Sequence, residues 1–332
     1  MFSCPAEVSF SLSALRNKIR RPAAKDLSPL KQLPYCSQSS EAAGESLFGS
    51  APRADIWILI EYRAPWNAKA IADNALPEAA LAWIERQENA LQQQGLQART
   101  QFIKQRGRRD VPLLLAVADT RPSRQRLVGT TILDHHELAH RRFDTLPDCD
   151  ATELDPILLV CTNGRRDACC ARFGGPVYDA LRGVTAHTVW QTTHLGGHRL
   201  APVVLSLPDG LCFGRLSPAE AVSMNFDRTG AFGHLRGRSA YPPPVQAAEC
   251  FLLNSNALLD PAQVELVATR EPEPETTSAT FRYRATGQLF TVTVSADYIL
   301  SRAGCSAETP KRTAQFSLLR IIPADPGDTD YT

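Results

Sequence analysis

The residues of this sequence best suited to chemistry are three cysteines, Cys161, Cys169 and Cys170, and two histidines, His194 and His198. Cys161 and Cys170 are separated by eight residues, and Cys169 directly precedes Cys170. The segment HLGGH follows, with His194 and His198 separated by three residues. Thiolates and imidazoles are ligands for several metals, so these closely spaced residues could form a metal site.

Spacing alone leaves three interpretations open. Zinc fingers usually place paired cysteines about two to four residues apart, whereas the longer gap here forms a broad loop that suits something larger than one ion. A [2Fe–2S] cluster needs four protein ligands, and histidine can replace cysteine on one iron. A zinc site, an iron–sulfur site and a set of unrelated core or thiol residues therefore all stay open.

The two histidines are not expected on a helix. Leu195, Gly196 and Gly197 separate them, and each glycine inside a helix costs about 1 kcal/mol. No Glu follows His194, so the zinc-protease pattern is absent. We expect a loop after a strand at 187–191, where glycine lets the backbone come close to a bulky cofactor.

The spacing of the cysteines argues against thiol–disulfide chemistry. The chain has nine cysteines and no Cys-x-x-Cys motif, which weakens the alternative of a thioredoxin-type redox enzyme. The adjacent Cys169 and Cys170 would form a strained disulfide at best. Cys212 and Cys250 lie in apolar segments and are expected to be small buried hydrophobic residues.

The elements that must position the candidate ligands follow a β–α–β–β–β–α order. Cys161 ends an apolar strand, and Ser217, Pro218 and Glu220 form a helix start. The predicted strands lie at 156–160, 187–191, 200–207 and 211–216. One helix is predicted at 168–181, with an interruption at 174–176, and a second helix is predicted to start at 218. Upstream, strands at 54–62, 111–117 and 127–133 and a helix at 77–93 predict an α/β lobe. Downstream, a helix at 245–253 and strands at 264–269, 280–285 and 288–294 predict a small α+β unit.

Three segments resemble the sucrase/ferredoxin-like family, whose members are thioredoxin-like ferredoxins with Cys-x8-Cys and His-x3-His motifs. They are CTNGRRDACCARFGGPVYDAL (161–181), VWQTTHLGGHRLAPVVLSLPDG (189–210) and CFGRLSP (212–218). A weaker resemblance runs through Tyr35-Cys36-Ser37 and residues 49–67. The resemblance implies a [2Fe–2S] cluster of non-Rieske type, and the matching ligands are Cys161, Cys170, His194 and His198. Cys169 is the alternative to Cys170.

The implied ligand set has redox consequences. Two thiolates bring an oxidised cluster to about neutral charge, so its potential should lie above the roughly −400 mV of plant-type ferredoxins. Three arginines lie next to the implied ligands in sequence: Arg165, Arg166 and Arg199. If they point inward, their positive charge would favour the reduced, anionic cluster. The alternative is that they face solvent or a partner. Gly196 and Gly197 would shape the loop. Pro202 corresponds by analogy to the cis-proline of thioredoxin-like folds.

Composition narrows the function classes. With 36 basic and 35 acidic residues the net charge is +1, which gives no electrostatic case for nucleic acid or an anionic membrane as the partner. No apolar run approaches about 20 residues, and the first residues lack the pattern of a secretory signal, so we expect a cytoplasmic protein.

No carboxylate-pair pattern supports sucrase activity, and no Gly-x-Gly-x-x-Gly motif marks a nucleotide site. We expect an electron carrier that exchanges electrons with other redox proteins rather than an enzyme with its own substrate.

The sequence predicts an α/β protein in four parts. These are an irregular N-terminal extension (1–34), an N-terminal α/β lobe (35–148), a thioredoxin-like [2Fe–2S] ferredoxin domain (149–238) and a C-terminal α+β appendage (239–332).

Overall fold

Two sheets and five α-helices form the computed structural model, which describes residues 33–122, 124–141, 151–185, 188–256 and 258–324. The predicted α/β class is confirmed. Except for its last two residues, the predicted extension at 1–34 lies outside the described residues, as do Cys4, Cys149 and His187.

The larger sheet places the candidate ligands. Its ten strands are β1 Ile56–Glu61, β2 Ala98–Lys104, β3 Leu113–Asp119, β4 Arg126–Ile132, β5 Thr152–Glu153, β6 Ile157–Cys161, β7 Val189–Thr192, β8 Val203–Leu207, β9 Leu211–Gly214 and β10 Leu235–Arg238. Their order across the sheet is β10-β9-β8-β6-β7-β2-β1-β3-β4-β5. Strands β1 and β6 are buried along their whole length, as expected of apolar strands that are covered on both faces.

The larger sheet consists of two halves with the same topology. In one half, β1 is parallel to β2 and antiparallel to β3, and β3 pairs with β4. In the other half, β6 is parallel to β7 and antiparallel to β8, and β8 pairs with β9. The second half contains the predicted β–α–β–β–β–α unit, the arrangement expected of a thioredoxin-like domain. The halves meet where β2 and β7 run antiparallel, with Ile103 opposite Thr192.

The five α-helices of the described residues flank the sheets. They are α1 Cys36–Ala42, α2 Glu78–Gln93, α3 Ala168–Thr185, α4 Pro218–Phe226 and α5 Pro243–Ser255. The predicted start of α4 is confirmed: the Ser217 side chain accepts from the Glu220 N–H while the Glu220 carboxylate accepts from the Ser217 N–H. No helix in the described part of the chain is both long and apolar enough to cross a bilayer.

Helix α3 corrects one prediction, because it runs without a break through Gly174, Gly175 and Pro176. A proline inside a helix removes one backbone hydrogen bond, and packing outweighs that cost here. Val177, Tyr178 and Leu181 are buried against the sheet. Gly174 permits this packing, since a Cβ at that position would lie 2.1 Å from the carbonyl oxygen of Cys161.

The smaller sheet packs on α5. Its four antiparallel strands are, in spatial order, β11 Val264–Arg270, β12 Thr276–Tyr283, β13 Leu289–Arg302 and β14 Pro310–Ala324. Val245 of α5 shares a core cluster with Phe281, Val292 and Phe316 of this sheet, and the cluster continues into the β6–β9 half. The loop between β13 and β14 contains Cys305, which reaches the candidate metal centre.

Candidate metal centre

The candidate ligands lie at the carboxyl ends of two parallel strands. Cys161 ends β6, and Cys169 and Cys170 lie in the first turn of α3, which follows it. His194 and His198 lie on the loop after β7. Neighbouring parallel strands end at the same edge of a sheet, so residues from two separate connections meet there.

The histidine loop depends on its two glycines, as predicted from their position. Gly196 has a φ of 106° and Gly197 a φ of 76°, values that residues with a side chain rarely adopt. The loop then enters a short 3₁₀ turn over His198–Leu200 and the cis peptide bond Ala201–Pro202. Pro202 thus has the cis peptide bond that the analogy requires.

Three of the four implied ligands converge in what we call the CCH group: Cys161, Cys170 and His194. The Nδ1 atom of His194 lies 3.6 Å from the Cys170 Sγ and 3.9 Å from the Cys161 Sγ. All three ligand atoms lie within 4.8 Å of one another, the arrangement of a group that could hold a metal. Both thiols are buried, while His194 is partly exposed.

His198 lies beside the CCH group, but its Nδ1 faces the other way. The rings of His194 and His198 meet edge to face with centroids 5.3 Å apart. The His198 Nδ1 lies 2.8 Å from the Asp167 Oδ2 and 3.8 Å from the Cys36 Sγ. When a carboxylate holds one imidazole nitrogen, the other nitrogen is the one left to bind a metal.

A second cluster, absent from the sequence-based predictions, lies behind His198. We call it the three-thiol group: Cys36, Cys169 and Cys305. The Cys169 Sγ lies 3.4 Å from the Cys36 Sγ and 3.3 Å from the Cys305 Sγ, and the latter two are 3.7 Å apart. Together with Asp167 these residues form another set whose ligand atoms lie within 4.8 Å. Cys169 thus belongs to a different cluster from Cys170.

Hydrogen bonds between thiols shift their ionisation in opposite directions within each cluster. The bond with Cys36 lowers the pKa of Cys169 to about 6, while the same bond raises the pKa of Cys36. In the CCH group, the bond between the thiols lowers the pKa of Cys161 and raises that of Cys170. Each cluster therefore shares protons among its thiols, and a metal ion would displace those protons on binding.

The Asp167 carboxylate connects the three-thiol group to His198. Burial alone would raise its pKa, but hydrogen bonds from His198 and from the N–H groups of Cys305 and Cys169 outweigh burial and lower the pKa. The carboxylate is 3% exposed. Asp167 is therefore held as an anion between the histidine loop and the three-thiol group.

Comparison with known proteins agrees with the resemblance in the sequence. The family model described as sucrase/ferredoxin-like matches residues 47–231, more than half of the chain. The chain belongs to the sucrase/ferredoxin-like family. Neither a curated protein nor a solved structure matches it significantly. The sucrase/ferredoxin-like match includes the CCH group, Asp167 and His198, whereas Cys36 and Cys305 lie outside it.

The three arginines predicted near the ligands have separate surroundings. In this sucrase/ferredoxin-like chain, Arg165 is exposed and donates to the Asn67 side chain. Arg199 is paired with the buried carboxylate of Glu45, which offsets its charge. Arg166 is exposed and lines an open cavity of about 490 Å³ whose wall also includes His194. Arg166 is thus the arginine of the three that borders a surface next to the candidate ligands.

A buried cation that sequence reasoning missed supports the histidine loop. Arg236 on β10 is 2% exposed and donates to the carbonyl oxygen of Gly196 at 3.0 Å. The other hydrogen bonds that its side chain donates, among the described residues, go to neutral groups of Ser50 and Cys212. A Cβ on Gly197 would lie 2.4 Å from the Arg236 Nη2. Arg236 therefore places a positive charge directly against the loop that carries both histidines.

Four residues near the candidate ligands were not predicted from the sequence, and the sequence signal for them differs in strength: Asp167, Cys36, Cys305 and Arg236. Asp167 lies between Cys161 and Cys169 in the motif, so its position was visible although its role was not. Cys36 lies in the weaker upstream resemblance. Cys305 and Arg236 carry no local signal, because only the folded chain brings β10 and the loop after β13 to this site.

Proposed function

We propose that this protein binds one [2Fe–2S] cluster through Cys161, Cys170, His194 and His198, and transfers single electrons between other redox proteins. The observation that carries the proposal is the convergence of two buried thiols and the His194 imidazole, with the His198 ring packed against them. When bound, the cluster would accept and release one electron at a time.

The chemistry of the donors fits this cofactor. Two thiols and two imidazoles are a known type of ligand set for a [2Fe–2S] cluster. The Nδ1 of His198 is occupied by Asp167, so its Nε2 is the nitrogen that would bind iron, in a carboxylate–histidine–metal relay. Membership of a family described as sucrase/ferredoxin-like supports a ferredoxin role.

The surroundings also suit electron transfer. His194 lines the open cavity beside Arg166 and Lys69, so one edge of the cluster would lie close to solvent and to a docking partner. The buried Arg236 would stabilise added negative charge on the reduced centre. The thiol ligands themselves stay buried, which limits access of water to the sulfur side of the site.

The test is an optical and EPR spectrum of protein purified without oxygen, with iron and acid-labile sulfide measured on the same sample. We expect a brown protein with about two irons and two sulfides per chain, bleached by dithionite. Cys161→Ser and Cys170→Ser should each abolish the cluster, and Cys169→Ser should retain it.

Two outcomes would contradict the proposal. A colourless protein with zinc bound by the four proposed ligands would make this a structural zinc module. Loss of the cluster in Cys169→Ser with retention in Cys170→Ser would reassign the thiol ligand.

A further inference from the structure

The three-thiol group has the dimensions of a single-ion site. Its Sγ–Sγ separations of 3.3, 3.4 and 3.7 Å are close to the edge of a tetrahedral zinc–thiolate site, which is about 3.8 Å for Zn–S bonds of about 2.3 Å. Thiolates bound to different irons of a larger cluster would lie farther apart than thiolates that share one ion. A disulfide needs about 2.0 Å and would leave the third thiol without a partner.

A carboxylate completes the set. The Asp167 Oδ1 lies 3.7 Å from the Cys36 Sγ and accepts from the Cys169 N–H. Its Oδ2 accepts from the Cys305 N–H at 2.9 Å. Zinc binds cysteine thiolates and carboxylate oxygens in four-coordinate sites, whereas calcium and magnesium prefer oxygen ligands. The three sulfurs therefore select a thiophilic divalent cation.

We propose that Cys36, Cys169, Cys305 and Asp167 form a second metal site in this protein, one that takes zinc. The ion replaces thiol protons that the cluster now shares, and no electron is transferred. None of its four ligands belongs to the set proposed for the [2Fe–2S] cluster, and Asp167 is the residue that contacts both sites, because its Oδ2 also holds the Nδ1 of His198.

The zinc site would connect three distant parts of the chain. Cys36 begins α1, Cys169 lies in α3, and Cys305 lies on the loop between β13 and β14, 269 residues from Cys36. Gly304 brings this loop onto the histidine loop, since a Cβ there would lie 3.0 Å from the His198 Cε1. The bound ion would thus hold α1 and the β13–β14 loop over His198.

The adjacent residues Cys169 and Cys170 supply a matched pair of variants. Zinc and iron are to be measured by elemental analysis on the full chain, purified under reducing conditions. We expect about one zinc per chain in the wild type and in Cys170→Ser, and loss of that zinc in Cys169→Ser and Cys305→Ser. Cys250→Ala, which removes a buried thiol outside both clusters, should retain it.

Cobalt gives a second readout, which is spectroscopic. Metal-free Cys170→Ser protein, which lacks one proposed cluster ligand, should develop thiolate-to-cobalt absorption and the visible bands of a tetrahedral site when titrated with Co²⁺. Adding Cys305→Ser to this variant should remove most of that signal. Cys305 is only half-buried on a loop, so its substitution leaves the core unchanged.

The outcomes separate this proposal from the proposed function. Zinc loss in Cys169→Ser with iron retained supports the second site, whether or not Cys170→Ser loses iron. Zinc-free wild type, no cobalt bands in Cys170→Ser and three freely alkylated thiols would together overturn it. Iron or a disulfide in the three-thiol group would overturn it as well.

Discussion

At the scale of single residues, two adjacent cysteines serve different clusters. Successive residues on an α-helix point about 100° apart, so Cys169 and Cys170 cannot face the same neighbour from the first turn of α3. Cys170 faces His194, and Cys169 faces Cys36 and Cys305. The two adjacent cysteines therefore belong to two side-chain clusters that lie on either side of one helix start.

The charge of the ligands gives the first residue-scale prediction. Under the proposed function, His194→Cys or His198→Cys should retain a cluster but lower its potential, because a thiolate adds negative charge to the centre. Spectroelectrochemical titration measures the midpoint. A potential that stays unchanged in both variants would show that neither histidine coordinates the cluster.

The buried guanidinium of Arg236 gives the second residue-scale prediction. Arg236→Gln should lower the cluster potential by on the order of tens of millivolts, because it removes a positive charge beside the histidine loop. Arg236→Lys keeps the charge and should stay closer to the wild type. Equal potentials in the three proteins would mean that Arg236 only supports the loop.

At the scale of elements, the contact between α3 and β6 sets the geometry of the CCH group. Gly174 allows the helix backbone to pack against Cys161, whereas a Cβ on Gly175 would point into open space. The packing therefore requires a glycine at position 174 but leaves room for a side chain at position 175, although both residues lie inside the same helix.

This contrast predicts opposite effects on stability. Gly174→Ala should lower the free energy of unfolding by about 3 kcal/mol, since the backbone at Cys161 cannot move aside cheaply. Gly175→Ala should raise it by about 0.5 to 1 kcal/mol, because alanine loses less conformational entropy in a helix. Urea unfolding monitored by circular dichroism measures both, and a neutral Gly174→Ala would contradict the close approach.

At the scale of the whole molecule, a buried ion pair connects the larger sheet to the C-terminal part. Arg238 at the end of β10 donates to both carboxylate oxygens of Glu249 on α5, at 2.8 to 3.3 Å, and both side chains are almost fully buried. Arg238 also donates to the carbonyl oxygen of Pro261, just before β11. This pair lies where the two sheets and α5 meet.

Breaking the pair should destabilise the whole protein. Glu249→Gln should cost about 3 to 5 kcal/mol of unfolding free energy, because it leaves the guanidinium buried without a counter-charge. The exposed pair of Arg106 and Asp179 is the control, and Asp179→Asn should cost less than about 1 kcal/mol. Similar losses in both variants, measured by chemical denaturation, would rule out a special role for the buried pair.

Local sequence patterns determined the elements of the β6–β9 half and the spacing of its candidate ligands. Apolar runs, the capping box at Ser217 and the glycines between His194 and His198 act over a few residues, so they could be recognised without the fold. The α/β class and the family followed from the same residues.

Tertiary structure decided what surrounds those residues. Helix α1 and strands β2, β5, β10 and β14 were not predicted. The pairing of β2 with β7 joins segments almost ninety residues apart. Cys36 and Cys305 meet across 269 residues, and Arg236 reaches the histidine loop from β10. Such contacts arise from the packing of complete sheets and helices, and no local pattern encodes which distant side chains that packing brings together.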